Sequence, residues 1–69
     1  PMLELNKSSI VVITGACNGI GRQTAKFLAQ RHQCKLIILD IMSSKFKEVQ
    51  AELEALGSSV VCFKCDLSS

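Results

Sequence analysis

Three short β-branched runs, each closed off within a few residues, constrain this chain more than any other feature. Ile10-Val11-Val12-Ile13-Thr14 stops at Gly15, Lys35 to Asp40 encloses Leu36-Ile37-Ile38-Leu39, and Ser59 to Cys65 encloses Val60-Val61-Cys62-Phe63. Runs of this length without polar alternation suit strands buried on both faces, as in a parallel sheet. The segments between them follow a helical period. Ile20, Thr24, Phe27, Leu28 and Arg31 recur at helical spacing, and Arg31, His32 and Lys35 put positive charge where a helix dipole is negative, which predicts a helix over about 20–32. Phe46, Val49, Leu53 and Leu56 make a second stripe. Ser43 or Ser44 can cap its start, and Gly57 stands where a left-handed residue closes a helix, which predicts a helix over about 44–56. Strand, helix, strand, helix, strand with short connections calls for an α/β fold, a parallel sheet joined by right-handed crossovers.

Size limits how much of a fold this can be. Sixty-nine residues fall below the usual ~100–150 of a domain, so one domain at most fits, or part of one. With 48% hydrophobic and 20% charged residues, a disordered or collagen-like chain is excluded. A net charge of +2 points neither to nucleic acid nor to a membrane surface. Its distribution says more. No acidic residue lies between Glu4 and Asp40, whereas Lys7, Arg22, Lys26, Arg31 and Lys35 do, so an anionic ligand would favour the first half. A solvated basic helix face would give the same count. No apolar run approaches the ~18 residues of a membrane span and no signal segment precedes the first strand, so the chain reads as intracellular and cytoplasmic.

The segment Thr14-Gly15-Ala16-Cys17-Asn18-Gly19-Ile20-Gly21 lies between the first strand and the first helix. At that place glycines have separate uses: Gly15 to turn sharply off the strand, Gly19 to leave room for a ligand beside the backbone, Gly21 to let the helix approach the sheet. Backbone N–H groups and the positive helix end would face a pyrophosphate. The helix start holds Arg22, Gln23 and Thr24 and no acid, a vacancy an external anion would fill. Asp40, nineteen residues beyond Gly21, ends the second strand at about the ~20-residue interval expected for an acid on the adenine ribose hydroxyls.

Thr-Gly-x-x-x-Gly-Ile-Gly, with three residues between the first two glycines, resembles the short-chain dehydrogenase/reductase family. Cys65-Asp66-Leu67 after the third run is similar to the family's Asp-Val or Asp-Leu pair, whose acid lies near the adenine amino group. The likeness extends from about Lys7 to Ser69. It implies a Rossmann-like doubly wound parallel sheet of which this is the first βαβαβ half, in strand order 3-2-1, so that residues 1–69 would be the N-terminal portion of a single domain. It also implies a cofactor site of Thr14, Gly15, Cys17, Asn18, Gly19, Ile20, Gly21, Asp40, Ile41, Cys65, Asp66 and Leu67. The expected cofactor is NAD rather than NADP. A carboxylate at Asp40 repels a 2′-phosphate, and Asn18 and Ile41 stand where the family's NADP users carry basic residues. The parent enzyme would pass hydride between the nicotinamide and an alcohol or carbonyl substrate. The family's catalytic Asn, Ser and Tyr-x-x-x-Lys lie downstream of the third strand, and this sequence contains no Tyr, so no catalytic role carries over.

Other features have plainer readings. Cys62-Phe63-Lys64-Cys65 is a C-x-x-C, but residues three apart on a strand face opposite ways and no second pair completes a tetrahedral site, so no metal is expected. Cys17, in the turn before a helix, sits where a thiol pKa tends to fall, which would make it reactive, and packing beside a cofactor accounts for it equally well. His32 reads as a dipole partner. The alternatives are a truncated, non-catalytic nucleotide-binding or interaction module, and a nucleoside-cofactor transferase, which Thr14 and the glycine spacing disfavour. Crossovers in the order 3-2-1 put both helices on one face and leave the other face and the first strand's edge open. The isolated 69 residues are therefore expected to associate, most simply as a two-fold dimer.

Overall fold

Parallel pairing of the three β-branched runs organises the computed structural model, which describes residues 5–66. The order is β1 (Ile10–Thr14), α1 (Gly19–His32), β2 (Lys35–Asp40), a 3-10 turn (Ser43–Lys45), α2 (Phe46–Ala55) and β3 (Val60–Lys64). β2 is central, with Ile10 opposite Lys35 and Thr14 opposite Leu39 on one side, and Leu36 opposite Val60 and Asp40 opposite Lys64 on the other. The sheet order β1-β2-β3 is the expected 3-2-1 read from the other edge. α1 and α2 lie side by side on one face, where they touch each other and the strands, the arrangement that successive crossovers of one hand produce.

That arrangement imposes a period of two on burial, which the apolar runs themselves do not show. Ile13, Leu36, Ile38 and Val60 are buried beneath the helices. Ile10, Val12, Val61 and Phe63 stand on the opposite side, each at least half exposed. The expectation of strands covered on both faces therefore holds for one face only among the described residues, because both helices lie on the same side.

The helices differ in how they meet the sheet. In α2, Val49 and Leu53 are fully buried, with Phe46 and Leu56 packed at the margin, as the stripe predicts. In α1 the buried residues are Ala25 and Ala29, whereas Ile20 is 86% exposed and Phe27 lies on the surface with the Arg31 guanidinium over its ring. Of the large residues at helical spacing, Ile20 and Phe27 mark the outer flank and Leu28 packs at the core's margin. Small ones mark the contact, because α1 runs too close to the sheet for larger side chains.

Helix ends also depart from expectation. Neither Ser43 nor Ser44 caps α2 through its side chain. The two serines form the 3-10 turn instead, in which the Lys45 N–H donates to the Met42 carbonyl at 3.0 Å. Gln33 closes α1 in the left-handed region at φ 54°, its N–H donating to the carbonyls of Leu28 and Ala29. Gly57, at φ 110°, lies against the Gln33 side chain, and a β-carbon there would stand 3.0 Å from Gln33 Cγ. The third strand is Val60–Lys64 rather than 59–65, and no helix among the described residues is long and apolar enough to cross a membrane.

Candidate functional site

The glycines of the turn fall where their conformational needs differ. Gly15 leaves β1 at φ +67° and donates its N–H to the Leu39 carbonyl at 2.8 Å, which ties the turn to β2. Gly19 opens α1 at φ +57°, and no atom lies within 4 Å of the place a β-carbon would take, so the backbone there is bare toward solvent. Gly21 is the opposite case. A β-carbon on it would press against the Gly15 carbonyl oxygen and stand 2.8 Å from the Gly15 carbonyl carbon and 3.2 Å from Ala16 Cα. The first turn of α1 is seated directly on the turn that precedes it.

Asn18 is extended before the helix and makes no side-chain cap, and no acid occupies the first turn. Helix geometry leaves the N–H groups of Gly19, Ile20 and Gly21 without partners inside α1. Asn18, Gly19 and Ile20, with Arg22, Gln23, Thr24 and Lys26, line an open hollow of about 470 Å³ at this end of the helix. Thr14 and Gly15 are exposed at the carboxyl end of β1, on the approach to the same turn.

Asp40, at the end of β2, lies beneath the turn and is only 8% exposed. Its Oδ2 accepts from the Cys17 N–H and its Oδ1 from the Met42 N–H, both at 3.0 Å. These backbone donors, Met42 first and then Cys17, hold the carboxyl below its ordinary range in spite of its burial, so Asp40 is ionised at neutral pH. The Cys17 thiol and the Ile41 N–H also lie close enough to the carboxylate to stabilise its charge. Ile41 is exposed beside it and brings no charge.

Cys17 is packed rather than reactive. It is completely buried, and burial first and the adjacent Asp40 carboxylate second push its thiol up to about 11. A helix N-terminus lowers a thiol pKa only where the thiol is solvated and no anion lies beside it. Cys17 therefore serves the turn through its N–H and the core through its side chain. Cys65 is half-buried and Asp66 exposed just beyond β3, and the Cys65 N–H donates to the Asp40 carbonyl at 2.9 Å. Leu67 lies outside the described residues. Among those residues all four cysteines are free thiols, and no group of three or more His, Cys, Asp or Glu side chains gathers.

The residue that sequence reasoning misjudged is Arg22. Counted there as charge available to an anion, it is engaged by α2, its Nε on Glu52 and its Nη1 on Glu48, each at 3.2 Å. The partners lie 30 and 26 residues away, so only the packing of α1 on α2 could reveal them.

A parallel sheet in this order, with a glycine turn at the carboxyl end of its first strand, defines the opening half of a Rossmann-type fold. The chain belongs to the short-chain dehydrogenase family, whose profile, described as short chain dehydrogenase, matches residues 9–69. It is similar to the short-chain dehydrogenase/reductase aba4 of Botryotinia fuckeliana, 44% identical over 48 residues that make up 70% of this chain and 18% of that protein. A short-chain dehydrogenase/reductase from Burkholderia phymatum, solved in complex with NAD, superposes with a TM-score of 0.85 at 31% identity, over 99% of this chain and 24% of its own. A metagenomic short-chain oxidoreductase solved with NADP superposes with a TM-score of 0.80 at 29% identity, over 94% of this chain and 28% of its own. The chain thus spans about a fifth to a quarter of the length of these relatives.

Proposed function

We propose that the chain is the cofactor-binding part of an NAD-dependent oxidoreductase that moves hydride between a nicotinamide dinucleotide and an alcohol or carbonyl substrate. The observation that carries this reading is Asp40. An ionised carboxylate at the end of β2, under the glycine turn, suits the ribose hydroxyls of an adenosine. The residues fit the rest of the group as well. The open backbone at Gly19 admits a pyrophosphate, the N–H groups of the first turn of α1 would donate to it, and no acidic side chain competes there.

In this reading Thr14, Gly15, Asn18, Gly19, Ile20 and Gly21 hold the pyrophosphate, Asp40 and Ile41 the ribose, and Cys65, Asp66 and Leu67 the adenine side. Cys17 contributes only its backbone. The nicotinamide, when bound, supplies the hydride chemistry, while the residues described here bind and orient the adenosine end. Residues 1–69 are then the N-terminal portion of one Rossmann domain, whose remainder covers the open sheet face bearing Val12, Val61 and Phe63.

NAD is favoured over NADP because Asp40 would face the 2′-phosphate with like charge and Ile41 offers no cation. Titration of the full-length protein with each dinucleotide tests both levels of the reading. Tighter binding of NADP would overturn the preference, and binding of neither would overturn the dinucleotide reading itself.

A further inference from the structure

Three connections meet at the carboxyl end of the sheet, and each is tied to a single residue. The β1–α1 turn reaches Asp40 through the Cys17 N–H on Oδ2, and the β2–α2 connection through the Met42 N–H on Oδ1. The segment after β3 reaches it through the Cys65 N–H on its main-chain carbonyl. Cys17 is 23 residues from Asp40 in sequence, so the carboxylate joins two loops that nothing local would align. The bond to Cys17 is buried. It acts on the residue that precedes Asn18 and Gly19, where the backbone is bare.

We propose that Asp40 is a positioning residue: its carboxylate braces the glycine turn against the β2–α2 connection and so holds the dinucleotide cradle in its binding shape before any ligand arrives. The inference rests on the dinucleotide reading but adds a second role to a residue that reading uses only as a ribose acceptor. The roles are separable because the brace acts through protein N–H groups, those of Cys17 and Met42, whereas ribose acceptance needs the hydroxyls of the ligand. A cradle assembled in advance saves the ordering cost that a loose loop would impose on binding.

Two measurements on the full-length protein separate the roles. The first is amide hydrogen exchange without ligand in wild type, Asp40→Ala and Asp40→Asn. Removing a charged acceptor from a buried N–H should speed exchange at Cys17 and Met42 by about tenfold or more in the Ala variant. Asp40→Asn keeps one acceptor oxygen, so one of the two amides should stay slow. It also provides the comparison if the Ala variant does not fold. Cys65 is the internal control, because its partner is the Asp40 main-chain carbonyl, present in every variant. Unchanged exchange at Cys17 and Met42 would overturn the proposal, and so would equal acceleration there, at Cys65 and throughout β2.

The second measurement is binding of ADP and of 2′,3′-dideoxy-ADP, which keeps the pyrophosphate but has no ribose hydroxyl to meet Asp40. A brace predicts that Asp40→Ala weakens both ligands, the dideoxy one by several-fold up to about tenfold. Loss of affinity for ADP alone would leave Asp40 a ribose acceptor and overturn the brace. If the wild-type protein binds neither nucleotide, the dinucleotide reading fails, and the exchange experiment still decides whether the carboxylate braces the turn.

Discussion

Gly21→Ala should destabilise the protein even though it replaces a poor helix former with the best one. Alanine inside a helix is worth about 0.8–1.0 kcal/mol over glycine, and on propensity alone the change would stabilise α1. The added methyl, however, would stand 2.8 Å from the Gly15 carbonyl carbon, about 0.7 Å inside the roughly 3.5 Å at which carbon atoms begin to attract. The obstacle is backbone rather than a flexible side chain. It is also held from behind, by the Gly15 N–H on the Leu39 carbonyl and the Cys17 N–H on Asp40. Relief therefore requires α1 to move off the sheet and loosen Ala25 and Ala29, a cost of about 1–3 kcal/mol for overpacking. Set against the propensity gain, the expected net loss is about 0–2 kcal/mol. Urea denaturation of wild type and variant as the full-length protein measures it. A variant more stable than wild type would show that α1 does not sit as closely on the turn as described. Gly19→Ala is the matched control, because its position is open and its φ is +57°: it should cost only the left-handed backbone penalty of about 1–2 kcal/mol, with no clash.

Three further outcomes are expected. Leu53→Ala, at a fully buried site under α2, should cost about 2–5 kcal/mol by denaturation, and a loss below 1 kcal/mol would mean that the α2 stripe is not core. Asp40 has a depressed folded pKa, so its contribution is complete above the unfolded value of about 3.9 and disappears as pH falls through the lower folded one. The stability gap between wild type and Asp40→Asn should therefore narrow on acidification, and a gap that does not change with pH contradicts the assignment. In alkylation of the native protein near neutral pH, buried Cys17, its thiol pushed up to about 11, should resist while half-buried Cys65 reacts; mass spectrometry showing Cys17 modified first would refute its placement.

Much of this protein could be read along the chain. The β-branched runs marked all three strands to within a residue, because strands of a parallel sheet draw on such residues at the edge as well as at the centre. The Phe46, Val49, Leu53 and Leu56 stripe placed α2 on the core for a similar reason: one face of a helix must be apolar throughout. The turn was legible too, since left-handed conformations at Gly15 and Gly19 and a clash at Gly21 are local demands that only glycine meets. Other features had no local signature. That α1 rests on Ala25 and Ala29 while Ile20 and Phe27 face outward depends on how near the helix comes to the sheet, and apolar content points the wrong way. The Arg22 pairs with Glu48 and Glu52 exist because two helices lie side by side, so their charges could only be counted, not matched, in the sequence. Cys17 and Asp40 illustrate the same limit: a turn position suggests a reactive thiol, and only tertiary packing buries that thiol beside a carboxylate and turns its N–H into the anchor of the turn. Sequence determined the elements and the residue types the turn requires, because those are constraints within a few residues of each other. Tertiary structure decided which side chains touch, which charges are neutralised and what Asp40 holds, because each depends on groups that meet only when the chain has folded.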